Sequence, residues 1–365
     1  MFQKTKIYID KTSLEIIAQD STIADNYYKN IIEIFRRNAD MYIDATEEEL
    51  EQMKEPEDLN DPGDIFTFIE RRNLPWPAAA SEKFEDFQQS EDSQHDEPHI
   101  EKNGNVIYIL DVKKEIAERI REHYGVWVLS VDEINDDIFS YSFNKHFNRS
   151  EVPGKSQKGW ENLLASEVTY LPPSNSFVLS DSNLLTNEIL DKDKKKHYRG
   201  LENVKNLLDV ILPAKSVIPF YILVICPAKT EQIGKMKKII ARWIDEVKNL
   251  REKRYTIIVE FFITSKTLHS RQLYANNYRI YLDKGFYVFE PWSTKVHLDG
   301  ESFNKIDIKS YLNSPFDRGD SILDVALAEL DEIKKKYDKF LKGTGDPSIV
   351  VPLDETEYSK NRILF

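Results

Sequence analysis

Two apolar runs, residues 220–226 (Phe-Tyr-Ile-Leu-Val-Ile-Cys) and 255–264, constrain this chain most. Both are far shorter than the roughly 18 apolar residues that a membrane-spanning helix needs. Residues 255–264 are apolar on both faces of an extended strand, so that strand has to be covered from two sides. A parallel sheet with helices on either face provides such cover. The segment between the runs places Ile233, Met236, Ile239, Ile240, Trp243 and Val247 at helical spacing over residues 230–253.

The same alternation extends in both directions. Strands are expected at residues 6–9, 40–43, 106–110, 126–130 and 177–180, and helices at 23–37, 113–124, 201–212 and 321–341. Thr46, with Glu49 three residues later, forms a capping box that opens a helix over residues 47–54. Gly125 stands where the 113–124 helix should stop. Arg271–Ala275 and Tyr278–Leu282 flank Asn276-Asn277, a hairpin turn. Strands alternating with helices predict an α/β protein. At 365 residues the chain accommodates two domains, each expected to be a mainly parallel sheet flanked by helices.

The first domain is read as residues 1–140, with a disordered, acidic insertion near 81–105. Residues 141–174 read as a linker, 175–342 as the second domain and 343–365 as a tail. The tail ends in Ile363-Leu364-Phe365, an apolar point able to dock a partner. Charge divides along the same boundary. Residues 1–140 hold 15 basic and 33 acidic side chains, against 35 and 30 in the remainder. Such a split predicts different partners for the two surfaces, with a protein partner expected for the acidic one. A single cysteine, Cys226, excludes an intrachain disulfide and a cysteine-built zinc site. Without a signal-peptide pattern or a membrane span, a cytoplasmic protein is expected.

Three carboxylates fall at strand ends or in the helix after a strand: Asp10, Glu49 and Asp111. The carboxyl ends of parallel strands converge on one crevice. Acids gathered there repel one another unless a hard cation such as Mg²⁺ or Mn²⁺ lies between them. At these residues the chain resembles the PIN-like nuclease family. Lys6-Ile7-Tyr8-Ile9-Asp10 is similar to that family's opening strand and first metal carboxylate, Glu48-Glu49-Leu50 to its middle acidic position, and residues 111–134 to its last βαβ unit. The resemblance implies metal-dependent cleavage of RNA or DNA, with Asp10, Glu49 and Asp111 as the ligands and Asp10 also as a catalytic group.

In the second half, Leu268-His269-Ser270-Arg271 follows the apolar strand and leads into the hairpin at Asn276. His269 and Arg271, two apart on an extended chain, share a face. The arrangement resembles one half of the phospholipase D-like superfamily, and in its His-x-Arg form the domain at the C-terminus of MIT-domain proteins. That resemblance implies a site built from His269, Arg271 and Asn276. It also implies a homodimer bringing two copies of His269 together, and a preference for binding phosphate-bearing partners or lipid. Arg in place of Lys holds phosphate but does not readily surrender a proton. A basic run containing Lys194, Lys195, Lys196 and Arg199 offers a track for a phosphate backbone. Two readings of function follow. One is a metal-dependent nuclease of the bacterial conflict or phage-defence type. The other is a catalytically inactive scaffold that recognises a phosphate-bearing partner.

Overall fold

In a computed structural model of the protein, the structure describes residues 5–19, 23, 39–44, 106–135, 141–148, 152, 155–186, 188–227, 233–252, 254–264, 271–291, 303–311, 322–344, 348–351, 359 and 361–364. Strands and helices alternate and build two sheets flanked by helices, an α/β fold. The expected insertion at 81–105 and the expected helices at 23–37 and 47–54 lie outside the described residues, apart from Ile23.

The first sheet contains β1 (Thr5–Asp10), β2 (Ala39–Asp44), β3 (Val106–Leu110) and β4 (Trp127–Ser130), in the order β2-β1-β3-β4. Every pairing is parallel. Alternating side chains sort cleanly onto its faces. Ile7, Ile9, Ile43, Ile107, Ile109, Trp127 and Leu129 line one face together with Leu14 and Ile17 of α1 (Lys11–Gln19). Tyr8, Tyr108, Leu110 and Val128 line the other, beneath Ala117 and Ile120 of α2 (Lys114–Tyr124). Tyr8 stacks on Tyr42 at 5.0 Å and on Tyr108 at 5.3 Å, so the aromatic row runs across three strands.

The second sheet has eight strands. Beyond β5 (Ser142–Phe147) and β6 (Ser176–Asp181), it takes β9 (Phe220–Pro227), β10 (Ile257–Thr264), β11 (Arg271–Ala275), β12 (Tyr278–Leu282), β13 (Asn304–Ser310) and β14 (Ser348–Val351). Its order is β14-β10-β9-β6-β11-β12-β13-β5. A parallel centre, β10-β9-β6, carries antiparallel strands on both sides. The two apolar runs are β9 and β10 of that centre, as their two-sided hydrophobicity requires. On one face pack α3 (Ser156–Leu164), α4 (Arg199–Ile211) and α5 (Ile233–Lys248). A separate two-stranded ribbon joins β7 (Glu188–Leu190) to β8 (Lys196–Tyr198).

Residues 141–174 are not a linker. They supply β5, an outer strand paired to β13, and α3, whose Trp160 meets Phe289 edge-on at 5.2 Å. The tail is not an exposed docking point either. Ile363 and Leu364 are buried in the core that also holds the Ile7 face of the first sheet. Val178, Leu223, Ile225, Phe262 and Tyr274 of the second sheet and α6 (Ile322–Leu341) join the same cluster. The two sheets therefore share one apolar core. No helix among the described residues is long and apolar enough to cross a membrane.

Candidate functional site

β1 ends on Asp10 and α1 begins at the next residue, which makes Asp10 the cap of that helix. Its Oδ1 accepts the Ser13 N–H at 2.6 Å. β3 lies beside β1 in the sheet, and the N–H of Asp111, one residue past the end of β3, donates to Asp10 Oδ2 at 2.6 Å. The two expected ligands therefore meet at the carboxyl edge of adjacent parallel strands. Burial pushes the Asp10 carboxyl above the usual range. The Ser13 and Asp111 N–H groups and the Ser13 hydroxyl oppose that rise, and the negative charge of Asp111 adds to it.

A third acid belongs to this edge by register. Asp44, the last residue of β2, is the register partner of Asp10 at the end of β1. Strand-end position was the signal that singled out Asp10, and it applies equally to Asp44 once β2 extends one residue past Ile43. Glu49 lies outside the described residues. Among the described residues, no group of three or more His, Cys, Asp or Glu side chains is placed to hold a metal. Two carboxylates, one of them half-buried and held by two N–H groups, nevertheless fit a hard cation of the Mg²⁺ type. Mg²⁺ is commonly held by one or two carboxylates, with water or substrate phosphate completing its shell.

The second expected site is not assembled in the same way. Arg271 and Asn276 stand at opposite ends of β11, about 16 Å apart at roughly 3.3 Å per residue. Asn276 is buried, and its Oδ1 accepts from Ser174 Oγ and from the N–H groups of Asn175 and Ser176 at 2.8–3.0 Å. It ties the β11–β12 hairpin to the start of β6, which is a structural duty and not a share in a site with Arg271. His269 lies outside the described residues.

Arg271 sits in register with Asp181, a fully buried carboxylate at the end of β6 that sequence reasoning passed over. Asp181 accepts the N–H groups of Asn183 and Phe286, each at 2.7 Å. Burial raises its pKa, while those two N–H groups and the Arg271 guanidinium pull it back down. Gly285 closes the turn above it at φ +83°, where a Cβ would come within 2.7 Å of the carboxylate. Arg271 also donates to the Asp283 carbonyl.

The basic run divides into two. Lys194 and Lys195 are exposed in the turn between β7 and β8, and Lys196 pairs with Glu188 at 2.7 Å. Arg199 turns inward, with Nη2 2.7 Å from Glu290 and Nε donating to the Phe289 carbonyl, so it does not join the lysines.

No family model matches the chain, and no curated protein matches it. Among solved structures, it shows 11% identity to the crystal structure of the C-terminal lobe of a budding yeast Argonaute. That likeness spans 90% of this chain and 74% of the other, with a TM-score of 0.17. At that score it carries no argument about fold or function.

Proposed function

We propose that this protein handles phosphodiesters of nucleic acid, with a divalent cation held at Asp10 and Asp111 and hydrolysis carried out at that edge. The observation that supports this reading is the 2.6 Å contact from the Asp111 N–H to Asp10 Oδ2 at the carboxyl end of two parallel strands. The N–H groups of Ser13 and Asp111 fix the orientation of the half-buried Asp10 carboxylate, and the exposed Asp111 side chain would supply a second oxygen donor. A bound Mg²⁺ or Mn²⁺ would contribute charge stabilisation at phosphate and an acidified water. Asp44 and Glu49 are the further acids from which the set would be completed. The lysine turn and Arg271 are the body's proposed contacts to substrate, and a homodimer through the second unit belongs to the same proposal.

Binding without turnover is a second reading, favoured by one observation: Asn276 is committed to the hairpin's tie to β6 and cannot share a site with Arg271. Calorimetric titration with Mn²⁺ and cleavage of labelled single-stranded RNA and DNA separate the two. Asp10→Asn and Asp111→Asn are expected to weaken Mn²⁺ binding at least tenfold and abolish cleavage. Ionisation of Asp10 is delayed by burial, so cation affinity should climb as pH rises through and above the ordinary carboxylate range. Intact substrate at every metal concentration, with no heat of binding, overturns the hydrolytic reading.

A further inference from the structure

The β7–β8 ribbon carries its charges in an ordered way. Asp191 opens the turn: its N–H donates to the Lys195 carbonyl at 3.1 Å and its carbonyl accepts the Lys194 N–H at 3.0 Å. One carboxylate oxygen of Asp191 takes the N–H groups of Asp193 at 2.9 Å and Lys195 at 2.8 Å. The other lies 3.2 Å from His197 Nε2, and His197 Nδ1 is 2.8 Å from Glu202 Oε1. His197 and Glu202 are both buried. From Glu202 the polar chain continues to Lys205 at 2.8 Å and on to Glu246 of α5, while Arg242 of that helix donates to the Lys196 carbonyl. The turn is thus held from below by a continuous run of hydrogen bonds and ion pairs.

What this scaffold presents to solvent is mostly positive. Lys192, Lys194 and Lys195 are exposed, with Asp193 the one exposed acid among them, whereas Glu188 is paired and Glu202 is buried. Lys194 has φ +59°, in the left-handed region. A non-glycine residue there costs on the order of 1 kcal/mol, and glycine or asparagine would be the cheaper occupant. The hairpin turn requires a left-handed residue here, and the chain places an ammonium group on it. Leu190 is the single large apolar side chain exposed on the ribbon, too little to insert into a lipid surface. No exposed aromatic ring on the ribbon is available for base stacking, so recognition would fall on the phosphate backbone.

We propose that the turn between β7 and β8 is a preformed seat for the sugar-phosphate backbone of a nucleic acid. Lys192, Lys194 and Lys195 contact phosphates, and Asp191, His197 and Glu202 act as positioning residues. The inference rests on the nucleic-acid reading above and assigns the contact to one rigid element. Its test is binding of a fluorescein-labelled single-stranded oligonucleotide by the full chain, read by anisotropy in chelator across a salt series. Metal-free conditions separate it from the hydrolytic reading, since binding without cleavage on adding Mn²⁺ would sink only the latter.

Three phosphate contacts predict a slope near −2 in log affinity against log salt, at about 0.7 per contact on a single strand. Lys194→Gly should flatten that slope by about 0.7 and weaken binding while raising the melting temperature, because it relieves the backbone as it removes the charge. His197→Gln, at unchanged circular dichroism, should also weaken binding and flatten the slope. If Lys194→Gly stabilises the protein and leaves affinity and slope at the wild-type values, the seat does not exist. Lysine-dependent binding to phosphatidylserine vesicles without oligonucleotide binding would assign the turn to a membrane and equally overturn the proposal.

Discussion

Asp10 and Asn276 show how one residue's partners decide its duty. Both were singled out as polar groups in plausible places, and both accept hydrogen bonds from backbone N–H groups. Asp10 lies beside a second carboxylate at a strand edge, whereas Asn276 gathers three donors in the interior. Asn276→Ala would strand the N–H groups of Asn175 and Ser176, each costing about 1–3 kcal/mol when left without a partner, and leave a cavity beside them. Urea denaturation should register a total loss of about 3 kcal/mol or more. A surviving active fold with unchanged midpoint would return Asn276 to the list of site residues. Arg251 makes a related point. It lies in a basic stretch, yet its guanidinium is spent on the carbonyls of Asp209, Leu212 and Pro213 where α4 ends and helix carbonyls run out of intrahelical donors.

At the scale of the element, Gly125 has two reasons to be glycine. It closes α2 at φ +60°, and its N–H donates to the Arg121 carbonyl. A Cβ there would come within 2.3 Å of the Ser174 carbonyl oxygen, at the start of β6. The sequence disclosed the first reason, because glycine commonly ends helices. The second required the fold, since Ser174 is 49 residues away. Gly125→Ala is expected to cost about 2–5 kcal/mol, combining left-handed strain with a backbone clash, and a melting temperature within a degree of wild type would contradict the close approach. Legibility followed burial in the same way. β3, β9, β10 and the β11–β12 hairpin are written in apolar or turn residues and were read directly. β5 buries only Phe147 among six residues, so no hydrophobic period announces it. An edge strand of this kind is defined by the hydrogen bonds it makes to β13.

Among the described residues, the two sheets share an apolar core where the charge split suggested separate domains. Ile363 and Leu364 reach the core shared by the two sheets, Arg362 lies over the Tyr221 ring at 4.9 Å, and Asn361 donates to the Phe177 carbonyl at 2.8 Å. Lys334 of α6 donates to the Leu364 carbonyl at 2.7 Å. Truncation after residue 358 should therefore destabilise both halves together. Loss of two buried aliphatic side chains alone costs up to about 3–6 kcal/mol. Tryptophan fluorescence and far-ultraviolet circular dichroism should report one coincident transition before and after truncation. Two separated transitions in the intact chain would show that the halves fold independently. Local chemistry alone determined that strands alternate with helices, that the longest apolar strands lie centrally, and that an acid closes β1 and follows β3. Backbone propensity and side-chain period are properties of neighbours along the chain. Which acids stand side by side, which cations are already neutralised, and what covers the tail were decided by contacts between residues up to 186 positions apart, such as Arg362 with Ser176. Only the packed chain brings such pairs within reach.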